Sequence, residues 1–593
     1  MSTYEDRLKA LRAQLVRERL DGFVVPLTDE HMSEYVGAYA QRLAWLTGFQ
    51  GSAGSAVVLP QEAAIFVDGR YTLQVREQVD AEYWQYESVP QTSVAAWLGT
   101  HAPQGARIGY DPWLHTRAWV KAAGEALAQR GAELVAVDGN PVDAIWPDRP
   151  APSNARLVAH EDRYAGQGAA EKRQAMADWL IATHADAVVL SALDSIAWTF
   201  NIRGKDVDRT PVALAYAIVH ADATADLYVA PEKIDDTVIQ HLGNAVRVQP
   251  RDAFADALAG FAGKTVAADP ERAVAAIFEA LEAGGARVLA LRDPAVLPKA
   301  IKNAQEIAGH KAAQARDGAA LSRFLHWIAV EAPKGGVDEL GAAAKLEAFR
   351  RETGLLEDLS FDTISGAGPN GAVVHYRVDA GTNRRIEPGS LYLVDSGGQY
   401  RDGTTDVTRT VAIGVPSAEM KHRFTLVLKG HIALARAQFP RGTRGGQLDV
   451  LARQYLWAEG LDYAHGTGHG VGSFLSVHEG PQRIATFGGG DEPLQPGMIL
   501  SNEPGYYKAG EYGIRIENLV LVEPRAVPGA EREMLGFETL TFAPIDRHAI
   551  AVEALTDVER QWLDAYHAKV LDVVGPQLEG QALAWLKAAC APL

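Results

Sequence analysis

The feature that most constrains the fold of this chain is a pattern of helix-like and strand-like runs that occurs twice in its first half. A helix-like run precedes "LDGFVVPL", "LAWLTGF", "SAVVL" and "AAIFVD" in the first copy. Another precedes "ADAVVLSAL", "IAWTFNI", "ALAYAIV" and "DLYVA" in the second, so that Leu43–Trp45 corresponds to Ile196–Trp198. Helices that alternate with short β-rich runs indicate α/β domains. The sequence therefore predicts two similar N-terminal α/β domains.

Two proline-rich segments, "GNPVDAIWPDRPAPSN" and "LRDPAVLPKAIKN", separate the two copies from each other and from the rest of the chain. Proline interrupts helices and strand ladders, so such segments suit domain linkers. A chain of 593 residues also exceeds the size that one hydrophobic core supports. We therefore predict an α/β (α+β) protein with domains at residues 1–150, 151–300 and 301–593.

The composition argues against two classes of partner. The chain has 57 Lys and Arg residues against 75 Asp and Glu residues, a formal charge of −18, whereas nucleic acids and anionic membranes select basic surfaces. It contains no apolar run of about 18 residues that would suit a membrane span. Its start, "MSTYEDRLKALRAQLVRERL", has the pattern of a charged amphipathic helix without the apolar core of a signal peptide. We therefore expect a cytoplasmic protein without nucleic-acid or membrane partners.

Several catalytic classes are excluded by the residues that are missing. The single cysteine, Cys590, allows no intrachain disulfide and argues against a cysteine-based zinc site or a Cys–His pair. The sequence also contains no H-E-x-x-H helix motif, no G-x-S-x-G elbow and no Walker loop. A site built from carboxylates and histidines remains.

Such residues are concentrated in the third segment. Its final part, after about residue 550, has a helical pattern that could cap the domain or mediate dimerisation, and the sequence leaves both open. The acids and histidines of the segment that stand out by their surroundings are, in chain order, His375, Asp395, Asp406, His465, His469, His478, Glu503 and Glu517.

Two aspartates flank a glycine-rich turn in "LVDSGGQYRDGTTDVTRT". Asp395 ends an apolar strand-like run, and Asp406 opens an alternating one. Residues on facing strands approach to about 5 Å. Two carboxylates at that distance repel each other unless a cation neutralises them. The pair is therefore either two solvated loop carboxylates or half of a metal site.

The motif "HGTGHG" places His465 and His469 four positions apart. Its alternating glycines make a helix improbable and favour an extended segment whose backbone comes close to another element. In such a strand both histidines would point to the same side. His478 follows in "SVHEGP".

Two glutamates repeat the pattern of an acid in apolar surroundings. Glu503 stands at the end of a strand-like run, just before the turn signal of Pro504 and Gly505. Glu517 lies inside the run "GIRIENLVLVE", which we predict to be one apolar strand, where an acid needs a partner. Four carboxylates with one or two histidines suit hard divalent ions such as Mn²⁺, with Zn²⁺ or Co²⁺ as competitors. Two such ions would balance the four negative charges.

Seven runs of this chain together resemble the pita-bread metallopeptidase family, which includes Xaa-Pro aminopeptidases, prolidase and methionine aminopeptidase. The runs are "KNAQEIAGHKAAQARDGAALSRFLHWI", "GAVVHYR", "VDSGGQYRDGTTDVTRT", "HGTGHGVG", "SVHEGP", "NEPGYY" and "GIRIEN". With its repeated N-terminal pair, the whole chain is similar to the long, three-domain Xaa-Pro aminopeptidases. The resemblance implies two creatinase-like domains followed by a pita-bread catalytic domain, and a homodimer.

The resemblance also implies roles for particular residues. The metal ligands fall on Asp395, Asp406, His469, Glu503 and Glu517. The catalytic residues would be Glu503, as proton shuttle, with His375 and His478. The substrate-binding residues would be His375, His465, His478, Phe361 and Arg515. The family often has tyrosine at the position of Phe361, so this chain keeps the ring there and lacks the hydroxyl.

The implied reaction is hydrolysis of the first peptide bond of peptides that begin Xaa-Pro, through a hydroxide that bridges two divalent ions. One alternative is a prolidase that cleaves only Xaa-Pro dipeptides, although prolidases usually have a single N-terminal domain. Another is a non-catalytic relative that binds peptides, although such relatives typically lose metal ligands. A third is a creatinase-like amidinohydrolase that works without metal. The complete ligand set and the duplicated N-terminal domain favour the aminopeptidase.

Overall fold

The computed structural model describes residues 3–486 and 488–593 and forms two compact units. The first unit comprises the described residues up to Asp162 together with Gln167–Val296, and the second comprises Arg163–Gly166 and Leu297–Leu593. The main boundary between the units thus falls inside the second proline-rich segment. The predicted boundary at residue 150, between the first two domains, stays a prediction.

The first unit alternates helices with short strands. Its helices are α1 (Tyr4–Arg17), α2 (Arg42–Thr47), α3 (Gln74–Gln78), α4 (Val94–His101), α5 (Arg117–Ala128), α6 (Pro141–Ile145), α7 (Asp162–Ala165, of which only Asp162 belongs to this unit), α8 (Ala169–Thr183), α9 (Leu193–Thr199), α10 (Asp236–Leu242), α11 (Phe254–Leu258) and α12 (Ala275–Ala283). Its strands are β1 (Gly22–Pro26), β2 (Ser55–Val58), β3 (Ala63–Val67), β4 (Gln85–Ser88), β5 (Arg107–Tyr110), β6 (Glu133–Ala136), β7 (Val158–Ala159), β8 (Ala187–Leu190), β9 (Ile202–Arg203), β10 (Ala215–His220), β11 (Ala225–Val229), β12 (Val246–Gln249), β13 (Thr265–Ala268) and β14 (Arg287–Ala290).

Two six-stranded sheets with the same topology lie in this unit. Their strand orders are β4-β3-β2-β1-β5-β6 and β12-β11-β10-β8-β13-β14, and equivalent neighbours are parallel or antiparallel alike. The α2 helix, which carries Trp45, corresponds in this order to α9, which carries Trp198. The prediction of two similar N-terminal α/β domains is therefore confirmed.

The strands of the first sheet are apolar on both faces. In β1, Phe23 and Val25 pack into one buried cluster and Val24 packs into another on the opposite side. In β3, Ile65 and Phe66 divide between the clusters in the same way. Side chains alternate across a strand, so continuous apolar runs such as "GFVV" and "AAIFV" require cover on both faces.

The second unit contains long helices and short antiparallel sheets. Its helices are α13 (Val296–Ala300, which begins at the unit boundary), α14 (Ala304–Glu331), α15 (Glu339–Arg351), α16 (Ala418–Ala435), α17 (Gly445–Trp457), α18 (Asp557–Val574) and α19 (Gly580–Ala589). Its strands are β15 (Asp358–Leu359), β16 (Ile364–Ala367), β17 (Leu391–Ser396), β18 (Gly398–Tyr400), β19 (Gly403–Thr404), β20 (Val407–Ala412), β21 (Gln438–Pro440), β22 (Gly468–Gly470), β23 (Glu479–Ile484), β24 (Ile499–Asn502), β25 (Gly505–Lys508), β26 (Tyr512–Arg515), β27 (Asn518–Arg525) and β28 (Met534–Thr539).

Two antiparallel sheets of this unit position the site. The smaller has the order β16-β17-β20, and the larger has the order β21-β28-β27-β24-β22-β23. The β25–β26 hairpin, which forms a sheet of its own, lies in sequence between β24 and β27 of the larger sheet. This arrangement is the pita-bread catalytic domain, so the fold class implied by the resemblance is confirmed.

The α14 helix packs closely against the turn between Asp395 and Asp406. It begins with a capping box in which the Asn303 side chain accepts from the backbone of Glu306 and the Glu306 side chain accepts from the backbone of Asn303. A Cβ atom on Gly309 would lie 2.2 Å from the carbonyl oxygen of Asp402, and one on Gly403 would lie 3.0 Å from the Cα of His310. Only glycine allows so close a contact between the helix and the β18–β19 turn.

The described helices include none that is both long and apolar enough to span a membrane.

Candidate metal centre

Asp395 and Asp406 lie on one face of the antiparallel pair β17–β20. Asp395 is paired with Thr408 in the register, and Asp406 directly precedes the first residue of β20. Side chains two positions apart on a strand point to the same side, so Asp406 shares the face of Thr408 and Asp395. The side chains of both aspartates are buried, and Asp395 Oδ1 has no hydrogen-bond partner among the described residues. The two are therefore not solvated loop carboxylates.

His469 reaches the same face from the larger sheet. It is the middle residue of β22, and its Nε2 lies 3.4 Å from Asp406 Oδ2 and 3.4 Å from Glu503 Oε1. A Cβ atom on Gly468 would lie 2.1 Å from the carbonyl oxygen of Ser501. The glycines beside His469 thus allow the close backbone approach that the sequence predicted.

The two glutamates approach from the ends of neighbouring elements. Glu503 follows β24 directly, and its Oε1 accepts a hydrogen bond of 3.2 Å from Ser501 Oγ. Glu517 lies between β26 and β27, where its Oε2 accepts a hydrogen bond of 2.7 Å from Thr408 Oγ1. Its backbone N–H also donates to the carbonyl oxygen of Thr408. Thr408 therefore ties Glu517 to the strand pair that carries the aspartates.

The prediction that "GIRIENLVLVE" forms one strand is wrong. Residues 512–515 belong to the β25–β26 hairpin and residues 518–525 belong to the larger sheet, with Ile516 and Glu517 between them. The chain changes sheets at this point because Glu517 bonds through both backbone and side chain to Thr408. The prediction that His465 and His469 share a strand is also wrong, since β22 begins at Gly468.

Ligand atoms of Asp406, His469 and Glu517 all lie within 4.8 Å of one another. Burial raises the pKa of Asp406 and of Glu517 well above the ordinary carboxyl range, and the neighbouring carboxylates raise both pKa values further. Burial also raises the pKa of Glu503. Negative charges this close and this deeply buried cost free energy unless cations balance them. Together with Asp395, the donor set is oxygen-rich with one imidazole, so the residues present fit divalent ions.

The remaining predicted histidines surround this cluster. The rings of His478 and His469 are 4.4 Å apart in an edge-to-face arrangement, and the rings of His478 and His375 are 6.5 Å apart and nearly parallel. His375, His465 and His478 are half-buried and so remain accessible to a substrate, whereas His469 is buried. His465 accepts or donates a 2.8 Å hydrogen bond between its Nε2 and the hydroxyl of Tyr507.

Phe361 and Arg515 differ in how close the structure places them to the ligands. Phe361 is half-buried in a bend, next to Ser360, whose backbone N–H bonds to the carbonyl oxygen of Gly397. Arg515 is 1 % exposed, and its Nη2 donates to Asp395 Oδ2 at 2.7 Å. Arg515 thus holds a predicted ligand directly, and the predicted substrate-binding role of Phe361 and Arg515 stays a prediction.

Tyr507 is a residue that the sequence reasoning missed. Its hydroxyl accepts a 2.7 Å hydrogen bond from Arg515 Nη1 and bonds to His465, so it connects a half-buried histidine to the guanidinium behind Asp395. Tyr507 lies in the run "NEPGYY", beside Glu503, which is the one sequence feature that places it near the site. The spacing does not show that its hydroxyl turns toward Arg515.

Arg409 was missed as well, although it lies in "DVTRT". Its fully buried guanidinium donates from Nη1 to the carbonyl oxygens of Thr408, at 2.8 Å, and Glu517, at 2.6 Å. From Nη2 it donates to Asn518 Oδ1 and to the hydroxyl of Tyr566, both at 2.8 Å. Tyr566 belongs to α18, so the C-terminal helical region takes part in holding the backbone of Glu517.

Four matches to known protein families cover most of the chain. The family described as "Metallopeptidase family M24" matches residues 308–524. The "Creatinase/Prolidase N-terminal domain" matches twice, at residues 7–145 and 148–306, and the "C-terminal region of peptidase_M24" matches residues 533–593. These four matches follow the order of the two repeated domains, the site-bearing domain and the C-terminal helical region.

Individual proteins are similar over the full length. The chain is 42 % identical to a probable Xaa-Pro aminopeptidase P of Neosartorya fischeri, over 99 % of this chain and 92 % of that protein. It is 41 % identical to a probable Xaa-Pro aminopeptidase P of Tuber melanosporum, over 99 % of both chains. The crystal structure of the Caenorhabditis elegans X-prolyl aminopeptidase, described as a cytosolic enzyme with a di-nuclear active site, superposes with a TM-score of 0.96 at 34 % identity and covers 100 % of both chains.

Proposed function

The chain belongs to metallopeptidase family M24, with two creatinase/prolidase-type N-terminal domains, and from this we propose that it removes the first residue from peptides with proline in second position. The strongest support is the buried cluster of Asp406, His469 and Glu517, found in a chain that aligns over 99 % of its length with relatives named Xaa-Pro aminopeptidase P. A non-catalytic relative would typically have lost metal ligands, and this chain keeps all five predicted ones, which argues against that alternative.

Two divalent ions would be held by the five predicted ligands. Asp395, Asp406 and Glu517 would hold one, and Asp406, His469, Glu503 and Glu517 would hold the other. When bound, such a pair of ions makes a water molecule nucleophilic at neutral pH and polarises the scissile carbonyl group. Mn²⁺ is the first candidate because the donor set is rich in oxygen, and Zn²⁺ and Co²⁺ are the competitors.

Glu503 is the proton carrier of this reaction. Its carboxylate is tied to Ser501 Oγ on one oxygen and lies beside His469, so it is held at the centre of the cluster. Burial raises the pKa of Glu503 in the metal-free protein. A carboxylate held beside the attacking water is a suitable general base. It accepts the proton of the attacking water and then gives that proton to the departing proline nitrogen.

His375 and His478 bind the substrate beyond the cluster. Their rings are nearly parallel and 6.5 Å apart, so one short peptide segment can reach both imidazoles. His375 donates to the oxygen of the scissile carbonyl as negative charge develops there, and His478 steadies the same oxygen or the carbonyl that follows proline.

A shaped, partly apolar pocket selects the proline ring. Phe361, His465 and Arg515 form its wall. Proline lacks the backbone N–H that ordinary peptidases contact, so a dedicated pocket is needed for its ring.

A panel of three synthetic peptides tests this function. We expect rapid release of arginine from Arg-Pro-Pro, slower cleavage of the dipeptide Ala-Pro, and no cleavage of Arg-Ala-Pro, each followed by chromatography of the products. Equal or faster cleavage of Ala-Pro would show a prolidase instead. Absence of cleavage of all three peptides after loading with Mn²⁺, Zn²⁺ or Co²⁺ would reject the proposed function.

The setting of the activity is a further part of the proposal. The similarity to the cytosolic Caenorhabditis elegans enzyme supports work in the cytosol, which localisation of a tagged chain would test. A homodimer, implied by the family resemblance, stays a prediction that light scattering of the purified protein would check.

A further inference from the structure

Two lysines at the start of the second unit are buried against one glutamate of β23. Lys299 Nζ lies 2.8 Å from Glu479 Oε2, and Lys302 Nζ lies 2.5 Å from Glu479 Oε1. The side chains of the lysines are 1 % exposed and that of the glutamate is fully buried. Lys302 Nζ also donates to the carbonyl oxygen of Lys299. Each oxygen of the Glu479 carboxylate is therefore bound by a different lysine.

Stability alone does not explain this group. Transferring three charges out of water costs several kcal/mol for each ion, and well-packed apolar side chains of the same size are often at least as stabilising. Two lysines that bond to the two oxygens of one carboxylate fix its orientation, because charge-assisted hydrogen bonds are short and directional. The location of Glu479 shows what such an orientation would fix.

Glu479 is linked through the backbone to His478 and to the strand that carries His469. It follows His478 directly in the chain, and its backbone pairs with Gly470, which follows His469. The ladder is irregular here, since His469 pairs with Arg483 and the next residue, Gly470, pairs with Glu479. His478 itself is in a bend outside the strand, so the ladder does not hold it.

The surroundings of the carboxylate are tight. A Cβ atom on Gly472 would lie 3.2 Å from Glu479 Oε2, and one on Gly470 would lie 2.4 Å from the carbonyl oxygen of Glu479. The glycine segment after His469 is thus packed directly against Glu479, against its backbone at Gly470 and against its carboxylate at Gly472.

We propose that Lys299 and Lys302 are positioning residues, which clamp Glu479 and thereby fix the imidazole of His478 against His469. The inference rests on the proposed function in that His478 there contacts the substrate. It gives the charged residues of "LPKAIKN", which the sequence marked only as a linker, a part in the reaction.

The test is a double-mutant cycle between Lys299→Met and His478→Ala on Arg-Pro-Pro. Lys299→Met is the suitable substitution because it keeps a long side chain and leaves Lys302 and Glu479 as a neutral pair. We expect it to lower kcat by about 10- to 100-fold, since small displacements of reacting groups cost that much. In the His478→Ala background we expect no further loss, because the histidine that the clamp positions is then absent.

Two measurements besides activity accompany the cycle. The metal content of Lys299→Met should equal that of the unaltered protein, since none of the five ligands is touched. As a control, Lys172→Met removes another buried lysine, whose Nζ bonds to the carbonyl oxygen of Trp198 and to Asn201 Oδ1 in the first unit. That variant should lose thermal stability and keep its kcat.

Additive losses in the cycle, or an unchanged kcat in Lys299→Met, would overturn the inference. If Lys299→Met does not fold, Glu479→Asp shortens the carboxylate by one methylene while keeping the charge, and the same dependence on His478 is expected. Inactivity of the unaltered protein toward Arg-Pro-Pro would instead reject the proposed function, so the two failures are distinct.

Discussion

Arg515 and Asp395 are joined by a buried ion pair, in which Nη2 of the guanidinium donates to Oδ2 at 2.7 Å. The same guanidinium donates to Thr408 Oγ1 and to the hydroxyl of Tyr507. Burial by itself lowers the pKa of Arg515, but Tyr507, Asp395 and Glu503 outweigh it and raise the pKa well above the ordinary value. Arg515 is therefore a permanent positive charge that orients one of the predicted ligands.

We expect Arg515→Lys to weaken metal binding by about 10- to 100-fold, the usual cost of losing a partner of a ligand. A lysine keeps the charge but cannot reach Asp395, Thr408 and Tyr507 at once, because it lacks the planar fork of donors. Titration calorimetry with Mn²⁺ measures the affinity. Tyr507→Phe removes one contact of the guanidinium and the hydrogen bond to His465, and its affinity should fall between those of the unaltered protein and Arg515→Lys. An unchanged affinity for Mn²⁺ in Arg515→Lys would contradict the inference that Arg515 orients Asp395 as a metal ligand.

Glu503→Gln should abolish turnover. The amide cannot accept the proton of the attacking water, and general base catalysis is worth about 100- to 10,000-fold. The kcat on Arg-Pro-Pro is measured at saturating Mn²⁺, with the bound metal determined in the same samples because Glu503 is also a predicted ligand. A variant that holds both ions and turns over at a near-normal rate would remove Glu503 from the role of proton carrier.

Tyr566→Phe should reduce metal affinity although Tyr566 lies in the C-terminal helix α18. Its hydroxyl accepts from Arg409, which in turn holds the carbonyl oxygen of Glu517. Loss of this hydroxyl should cost about 1 kcal/mol of stability, as a typical buried hydrogen bond does. The control is Tyr392→Phe, which removes another buried hydroxyl, bonded to Ser365 Oγ. Equal metal affinity in both variants would leave α18 with a purely structural role.

The metal-free protein should lose stability as the pH rises above about 4.5. The pKa values of Asp406 and Glu517 are raised above the ordinary 3.8 and 4.5, so over this range the native state keeps protons that the unfolded state has released. The free energy of unfolding then falls with increasing pH. Urea unfolding of the stripped protein at several pH values measures this slope, and Glu517→Gln, which cannot ionise, should show a shallower one. Equal slopes would contradict the raised pKa of Glu517.

Chelator treatment should abolish activity, and single metals should restore it. The stripped protein is supplied with Mn²⁺, Co²⁺ or Zn²⁺ alone and assayed on Arg-Pro-Pro, and we expect Mn²⁺ to restore the highest rate because most donors are oxygen. Each addition should also raise the melting temperature, since ions that bind only the native state stabilise it. Full activity after complete stripping would exclude metal-assisted hydrolysis.

The sequence by itself determined which side chains could form the site. Asp395 and Glu503 stand where apolar strands end, and the glycines beside His469 indicate a close backbone approach, so residue type and spacing single out these side chains as candidates. The duplicated α/β pattern was equally readable, because a sheet covered on both faces requires continuous apolar strands.

Only the tertiary structure decided what holds those side chains. Arg409 and Tyr566 are 157 positions apart, and Lys299 and Glu479 are 180 positions apart, yet both pairs are in hydrogen-bond contact. The local sequence around a buried charge shows that it needs a partner, since an unpaired one is costly. It does not show which partner, because that depends on which distant elements the packing of the core brings together.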